Sequence, residues 1–509
     1  MKNRFLPILF LALIFQWSCH LPQASRDDIT FTVLQLNDVY EISPLDGGKS
    51  GGLARVGTLI KELKAENENT ITLLSGDFLS PSLIGMLNDE DGGKIAGRQM
   101  VETLNAIGLD YVTFGNHEFD LKTGDLLQTR MDQSEFVYVC SNAFRQYEDG
   151  KTEPFTQRGE AIPSYVIKTF KNASGKQVRV GITGVVLPFN KQPYVQYTSF
   201  ETALKATASE MKPQTDIMLA ITHLSIDEDK EMAQKNQDYR AIFGGHEHVN
   251  MKYQIGNTLI TKADANAKTV YIHRFTYHPS TGKTTIKSTL KTIDDTIADE
   301  PEAHKVVMSW EGKVDGIIEE MGYDPDNEIL VTKTPLICTE EKIRNMPTNF
   351  GILTSKAFEK VLPQADAFLL NSGSMRLDDN LLGVITEYDI LRVYPYGGPI
   401  SRVEMTGADL AKMLDIGLGT NKGEGGYFQT WKVDKTAEGQ WRVSGKRIDP
   451  VKKYKVVMPQ FLASGKEANL EMLGTMKREE FDSFKVQDKT IANDVRDIVI
   501  FYMGELKVF

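Results

Sequence analysis

The run Gly115-Asn116-His117-Glu118 follows the apolar stretch Leu109 to Phe114, rich in aromatic and β-branched residues. Such a strand end presents an amide and an imidazole at a sheet edge, where α/β folds place their chemistry. Four further apolar runs end the same way. Val33 to Leu36 leads into Asn37-Asp38, Ile71 to Ser75 into Gly76-Asp77, Ile217 to Ile221 into Thr222-His223, and Ala241 to Phe243 into Gly244-Gly245-His246-Glu247-His248. Five strands are thus expected to deliver Asp38, Asp77, Asn116, His223, His246 and His248 to one edge. Carboxylate oxygens and neutral imidazoles suit zinc, manganese or iron, and a bridging Asp can hold two cations close together. A cation pair lowers the pKa of a bridging water and clamps phosphoryl oxygens during in-line attack. Singly, an Asp at a strand end is usually a helix cap and a His an ordinary hydrogen-bonding residue. Six such residues at five strand ends are poorly explained that way. His117 lies outside this inventory. Asp120, three residues on, can orient it to steady transition-state charge or to protonate a leaving alkoxide.

Elements must hold these residues in place. From about Ile29 to Phe275 apolar strands alternate with amphipathic helices such as Leu53 to Lys64 and Gly97 to Ile107, an α/β pattern. At 509 residues the chain is too long for one ordinary core, so two large domains are expected. The first spans 28–293. A charged surface helix within 294–325, with Val306, Val307, Trp310 and Val314 between its charges, joins it to an α+β domain over 326–509.

A formal charge of -11 with no basic run argues against nucleic acid as a partner. An acidic protein acting on phosphates must supply positive charge locally, through cations or a few arginines. At the N-terminus, Lys2 and Arg4 precede the apolar run Phe5 to Phe15, so residues 1–18 read as an export signal. Cys19 then resembles the acylated cysteine of a bacterial lipoprotein, although Phe15-Gln16-Trp17 departs from the usual small-residue pattern; the rival is cleavage and secretion. An exported, periplasmic or outer-membrane location is expected, with any membrane contact made through that lipid. Cys140 and Cys338 fall in different halves and read as buried small hydrophobes.

In the second half, Asn371-Ser372-Gly373-Ser374-Met375-Arg376 follows the apolar run Ala367 to Leu370. Arg376 can grip a phosphate bidentately or form a surface ion pair. Tyr396 and Phe461 sit beside Pro and Gly, where aromatics either pack down or sandwich a planar base.

Taken together, Asp38, Gly76-Asp77, Gly115-Asn116-His117-Glu118, Thr222-His223 and Gly245-His246-Glu247-His248 resemble the calcineurin-like metallophosphoesterases. Fusion to a second domain is similar to the 5'-nucleotidase family, over nearly the whole chain after its signal. The resemblance implies a four-layer metallophosphoesterase β-sandwich flanked by helices. It implies Asp38 and His248 on one metal, Asn116, His223 and His246 on the other, Asp77 bridging, and His117 with Asp120 as a catalytic dyad. It also implies substrate contacts from Arg344, Asn371, Arg376, Tyr396 and Phe461. Glu467 stands where the family carries the Asp that holds the ribose hydroxyls, and Gly425 to Gln429 matches a family loop that either packs or touches substrate. The family's first motif is Asn-Asp-x-His, whereas this chain reads Asn37-Asp38-Val39-Tyr40. Either Tyr40 coordinates as phenolate to a more acidic metal such as iron, or the first metal is short one ligand and held loosely. The loose site is favoured.

The expectation is an exported phosphohydrolase using two divalent cations (zinc, manganese or iron) to remove phosphate from nucleoside 5'-monophosphates by metal-bound hydroxide attack. One rival keeps the chemistry but takes nucleotide diesters, UDP-sugars or other phosphomonoesters. The other is a non-catalytic surface protein that binds nucleotides. The resemblance further implies hinge motion about the linker.

Overall fold

In the computed structural model, residues 27–189 and 191–508 are described. The proposed signal and Cys19 lie outside them. Two six-stranded sheets stack face to face. One runs Lys283–Thr292, Thr269–His278, Ile29–Leu36, Thr70–Leu74, Tyr111–Val112, Val137–Tyr138; the other runs Met251–Ile255, Thr258–Lys262, Tyr239–Gly244, Ile217–His223, Gln177–Val186, Tyr165–Lys171. The five ligand-bearing strands therefore come from two sheets, not from one edge. What unites them is direction. Ile29–Leu36, Thr70–Leu74 and Tyr111–Val112 run parallel, as do Ile217–His223 and Tyr239–Gly244. Their carboxyl ends converge at one end of the sandwich.

Sequence explains the stacking. Thr70–Leu74 and Ile217–His223 are buried at every position, as strands covered on both faces must be. Between the sheets Phe31 stacks on Phe170 and Phe275, with centroids 4.7 and 4.5 Å apart. Each ring withdrawn there contributes about 1.5–3 kcal/mol. Helices Leu53–Glu66 and Arg98–Ile107 cover the first sheet, and Phe200–Met211 and Ile226–Lys235 the second. The result is the four-layer α/β sandwich. The apolar run Leu109 to Phe114 yields a strand only over Tyr111–Val112, because Phe114 turns away into a core of Phe119, Tyr138 and Phe155.

The helix Pro301–Glu320 begins at Glu300, whose carboxylate accepts the Ala303 N–H at 2.7 Å, with proline at the first helical position. It is less of a surface helix than its charges suggest. Ala303, Val307, Trp310, Val314 and Ile318 recur at three- and four-residue spacing and are buried against the helices of the first sheet.

Beyond it, a five-stranded sheet orders as Phe428–Trp431, Ala367–Asn371, Lys453–Pro459, Ile400–Thr406, Lys477–Glu479. Helices Asn349–Val361 and Val495–Leu506 pack on one face, Gly407–Asp415 and Gln460–Ala463 on the other. A three-stranded sheet of Leu381–Thr386, Glu328–Leu336 and Lys507–Val508 completes this half. Cys140 and Cys338 are buried free thiols.

Candidate metal centre and substrate cleft

Strand register brings the first ligands side by side. Leu36 pairs with Leu74 and Leu74 with Val112, and just beyond this rung the chain turns at Asp38, Asp77 and Asn116. Thr222 pairs with Gly244 across the second sheet, placing His223 beside the loop of His246 and His248. Asp38, Asp77 and His246 have φ of 54°, 57° and 83°, in the left-handed region. That conformation costs about 1–2 kcal/mol per residue without glycine's freedom.

Surrounding bonds impose it. The Glu118 carboxylate accepts the N–H groups of Asp77, Phe78, Leu79 and Gly115 at 2.9, 2.8, 3.1 and 2.5 Å. Asp38 donates its N–H to Gly76 O at 3.1 Å and accepts the His246 N–H at 3.0 Å. Gly76 is required because the Gly115 backbone lies against it and leaves no room for a Cβ. A buried cation fastens the second loop: Lys262 Nζ donates to Leu224 O and Gly245 O, each at 2.7 Å, and to Glu247.

Acceptor atoms then converge. His223 Nδ1 must donate to Ser75 O at 2.7 Å, since a carbonyl only accepts. Its Nε2 lies 3.1 Å from Asp77 Oδ2, 3.2 Å from Asn116 Oδ1 and 4.0 Å from Asp38 Oδ1. Asp38, Asp77 and His223, all buried, form a group spaced for metal binding. His246 stacks edge-on to His223 at 5.4 Å between centroids, and His248 Nε2 is 3.7 Å from Asp38 Oδ1.

Burial and mutual charge shift all five titratable groups of the cluster. Burial lowers His246, with His223's charge, to about 3, leaving a neutral imidazole. Burial also opposes charging of His223 and His248, but nearby carboxylates win. Asp77 lifts His223 to about 9, and Glu340 and Asp378 lift His248 to about 10. Burial opposes the Asp77 carboxylate too, yet His223 and His117 hold it below the usual range; burial raises Asp38 to about 6. A proton and a cation contend for the same lone pairs, and a divalent cation satisfies several at once. The donor set fits such ions.

Tyr40 joins this cluster as a hydrogen-bonding phenol. Its hydroxyl lies 3.1 Å from both Asp77 Oδ2 and His248 Nε2. Burial and the charges of Asp77 and Asp38 push its pKa well above the usual value.

His117 Nδ1 and Asp120 Oδ2 are 2.6 Å apart, and His117 Nε2 is 3.2 Å from Arg376 Nη2. A guanidinium has no acceptor, so Nε2 accepts and Nδ1 carries the proton. Arg376, from the second half, thus reaches the dyad. Asn371 Nδ2 donates to Glu467 Oε2 at 3.0 Å, and Arg344 pairs with Glu340 at 2.7 Å. Arg344's charge also acts on Glu467, whose pKa burial raises. Tyr396 and Phe461 are 48% and 51% exposed, so neither packs down as a core residue. Their turns are tied by the Gln460 N–H to Pro399 O at 2.8 Å. The Gly425 to Gln429 loop, by contrast, packs. Phe428 is in the core and Gln429, fully buried, bonds Thr348, Ile343 and Met346.

Four residues whose sequence context assigned them no role support the site: Glu118, Lys262, Glu340 and Asp378. A signal existed for the first. Acid follows His in both Gly-Asn-His-Glu and Gly-His-Glu, and Glu118 and Glu247 each brace a ligand loop. The other three act across distances in sequence that no local pattern reveals.

Residues 31–250 match the calcineurin-like phosphoesterase family and residues 329–475 match the 5'-nucleotidase C-terminal domain. The first half is therefore a metallophosphoesterase domain by fold and by site. The chain as a whole belongs to the two-domain family in which that domain precedes a 5'-nucleotidase C-terminal domain. It is 24% identical to endonuclease YhcR of Bacillus subtilis over 89% of this chain and 38% of that protein, so it spans well under half of that relative. It is 22% identical to human 5'-nucleotidase over 94% of this chain and 88% of that one. The fold is similar to a 5'-nucleotidase precursor of Thermus thermophilus (TM-score 0.72, 19% identity, 94% and 97% of the chains).

Proposed function

We propose that the protein is an exported hydrolase that uses two divalent cations to remove phosphate from nucleoside 5'-monophosphates. The observation that carries this reading is Arg376 of one half meeting His117 of the other beside the acceptor cluster. Asp38 and His248 would hold one cation and Asn116, His223 and His246 the other, with Asp77 contributing to both. Bound there, the cations would supply an acidified water and offset phosphoryl charge.

The chain's own groups do the rest. Arg376 donates to the phosphoryl oxygens, and in doing so releases His117 Nε2. Asp120 accepts from His117 Nδ1 and keeps the ring oriented, so the freed Nε2 can take up a proton from solvent and pass it to the leaving oxygen. Arg344 adds charge on the phosphate side, Asn371 and Glu467 bond the ribose, and the two exposed aromatics, Tyr396 and Phe461, hold the base. The catalytic unit is 28–293, the helix-bearing linker 294–325 and the specificity unit 326–509. Export rests on residues 1–18, and a lipid on Cys19 would tether the protein.

The test is phosphate release from AMP, UDP-glucose and cyclic nucleotides by protein loaded in turn with zinc, manganese or iron. AMP should be turned over best. AMP binding without turnover under any cation would make this a nucleotide-binding protein instead.

A further inference from the structure

His248 lies in the first half, yet the group that orients it comes from the second. Its Nδ1 is 2.7 Å from Asp378 Oδ2 and 3.9 Å from Glu340 Oε1. A carboxylate accepts, so Nδ1 donates to Asp378, and a cation that displaces the second ring proton meets the lone pair on Nε2, beside Asp38 and Tyr40. That is the tautomer a ligand needs, set by a partner 130 residues away in sequence.

Asp378 is itself fastened from both sides. It is 8% exposed, with φ of 51°, and its Oδ1 accepts the Glu340 N–H at 2.6 Å. From the first half, Lys268 Nζ donates to Asp378 O at 2.7 Å and pairs with Asp379 at 3.4 Å. Asp46 N–H donates to Asp379 Oδ2 at 3.1 Å. Two residues upstream, Arg376 touches His117. One short segment of the second half therefore reaches both the dyad and the cation cluster.

We propose that Asp378 is a positioning residue that fixes His248 as a ligand only while the two halves are apposed, so that cation binding and apposition favour each other. The inference rests on the cation reading above. Separation of the halves removes the acceptor from His248 Nδ1 and frees the ring to rotate and change tautomer. Linkage then requires the reverse: a cation on His248 must favour apposition by the same factor.

The experiment titrates manganese into the full-length wild type and into Asp378→Asn, Asp378→Ala and Lys268→Met, by chelator competition. Solution scattering follows with and without the ion. One class of site should weaken by roughly 10–100-fold in Asp378→Ala, less in Asp378→Asn, and slightly in Lys268→Met, the other class staying unchanged. Manganese should make the wild type more compact and Asp378→Ala less so. Unchanged affinities would overturn the proposal, as would equal weakening of both classes or no compaction of the wild type. A wild type that binds no manganese at all would remove the cation reading beneath it.

Discussion

Arg376 Nη2 lies 3.2 Å from His117 Nε2, so a guanidinium from the second half donates to the free ring nitrogen of a dyad in the first. Burial opposes its charge, but Tyr396 and Glu340 more than compensate and hold the pKa above the usual arginine value. A permanent cation thus lies against the dyad.

Replacing this fork by a point charge should be costly. Arg376→Lys is expected to lower kcat/KM for AMP by roughly 10–100-fold, because an ammonium cannot donate in parallel to two phosphoryl oxygens. Steady-state kinetics on the loaded protein would read it. Near-wild-type kinetics would place Arg376 in a structural ion pair.

Tyr40 bonds to Asp77 and His248 through its hydroxyl. Tyr40→His should therefore add a nitrogen donor and tighten one cation by roughly tenfold or more. Competition with a chelating dye measures this. Weaker binding in the variant would mean that the phenol is already a ligand.

The four N–H groups on Glu118 require two oxygens. In Glu118→Gln, either amide orientation turns an NH2 toward two of those donors. A loss of about 2 kcal/mol or more of stability is expected, together with bound cation. Denaturant unfolding checks it, and an unchanged midpoint would contradict the bracing role.

His273 lies between the sheets, where burial, with help from Lys252, lowers its pKa to about 3. Between pH ~6.5 and that value the unfolded chain binds a proton that the native ring refuses. Its contribution to stability is therefore lost as pH falls, by up to about 1.4 kcal/mol per pH unit. Unfolding free energies of His273→Gln should fall less steeply over this window than those of the wild type. Equal slopes would show that His273 takes up a proton when folded.

Much of the site is legible in the amino-acid sequence. Each ligand strand announces itself by an apolar run ending in Gly, Asp, Asn or His, since a strand buried on both faces must place its polar chemistry at its ends. What runs and spacing do not convey is which strands share a sheet. Ile29–Leu36 and Ile217–His223 look alike in sequence yet lie in opposite layers. Apolar character marked the linker helix only in part. Trp310 and Ile318 are buried in a core with helices more than two hundred residues away, while Lys313 and Asp315 between them are exposed. Lys262, Glu340 and Asp378 stayed hidden for a related reason. Each is an ordinary charged residue in its own segment and becomes part of the site through partners from a distant one.

The proposed function divides labour within Gly-Asn-His-Glu: Asn116 among the cation donors, His117 for the chemistry. The most direct measurement is phosphate release from AMP by the wild type and His117→Ala, with the cation content of both determined on the same samples. The expected result is a fall in kcat of roughly two orders of magnitude or more at unchanged cation content. Cation content that falls in step with activity would contradict it and place His117 among the ligands.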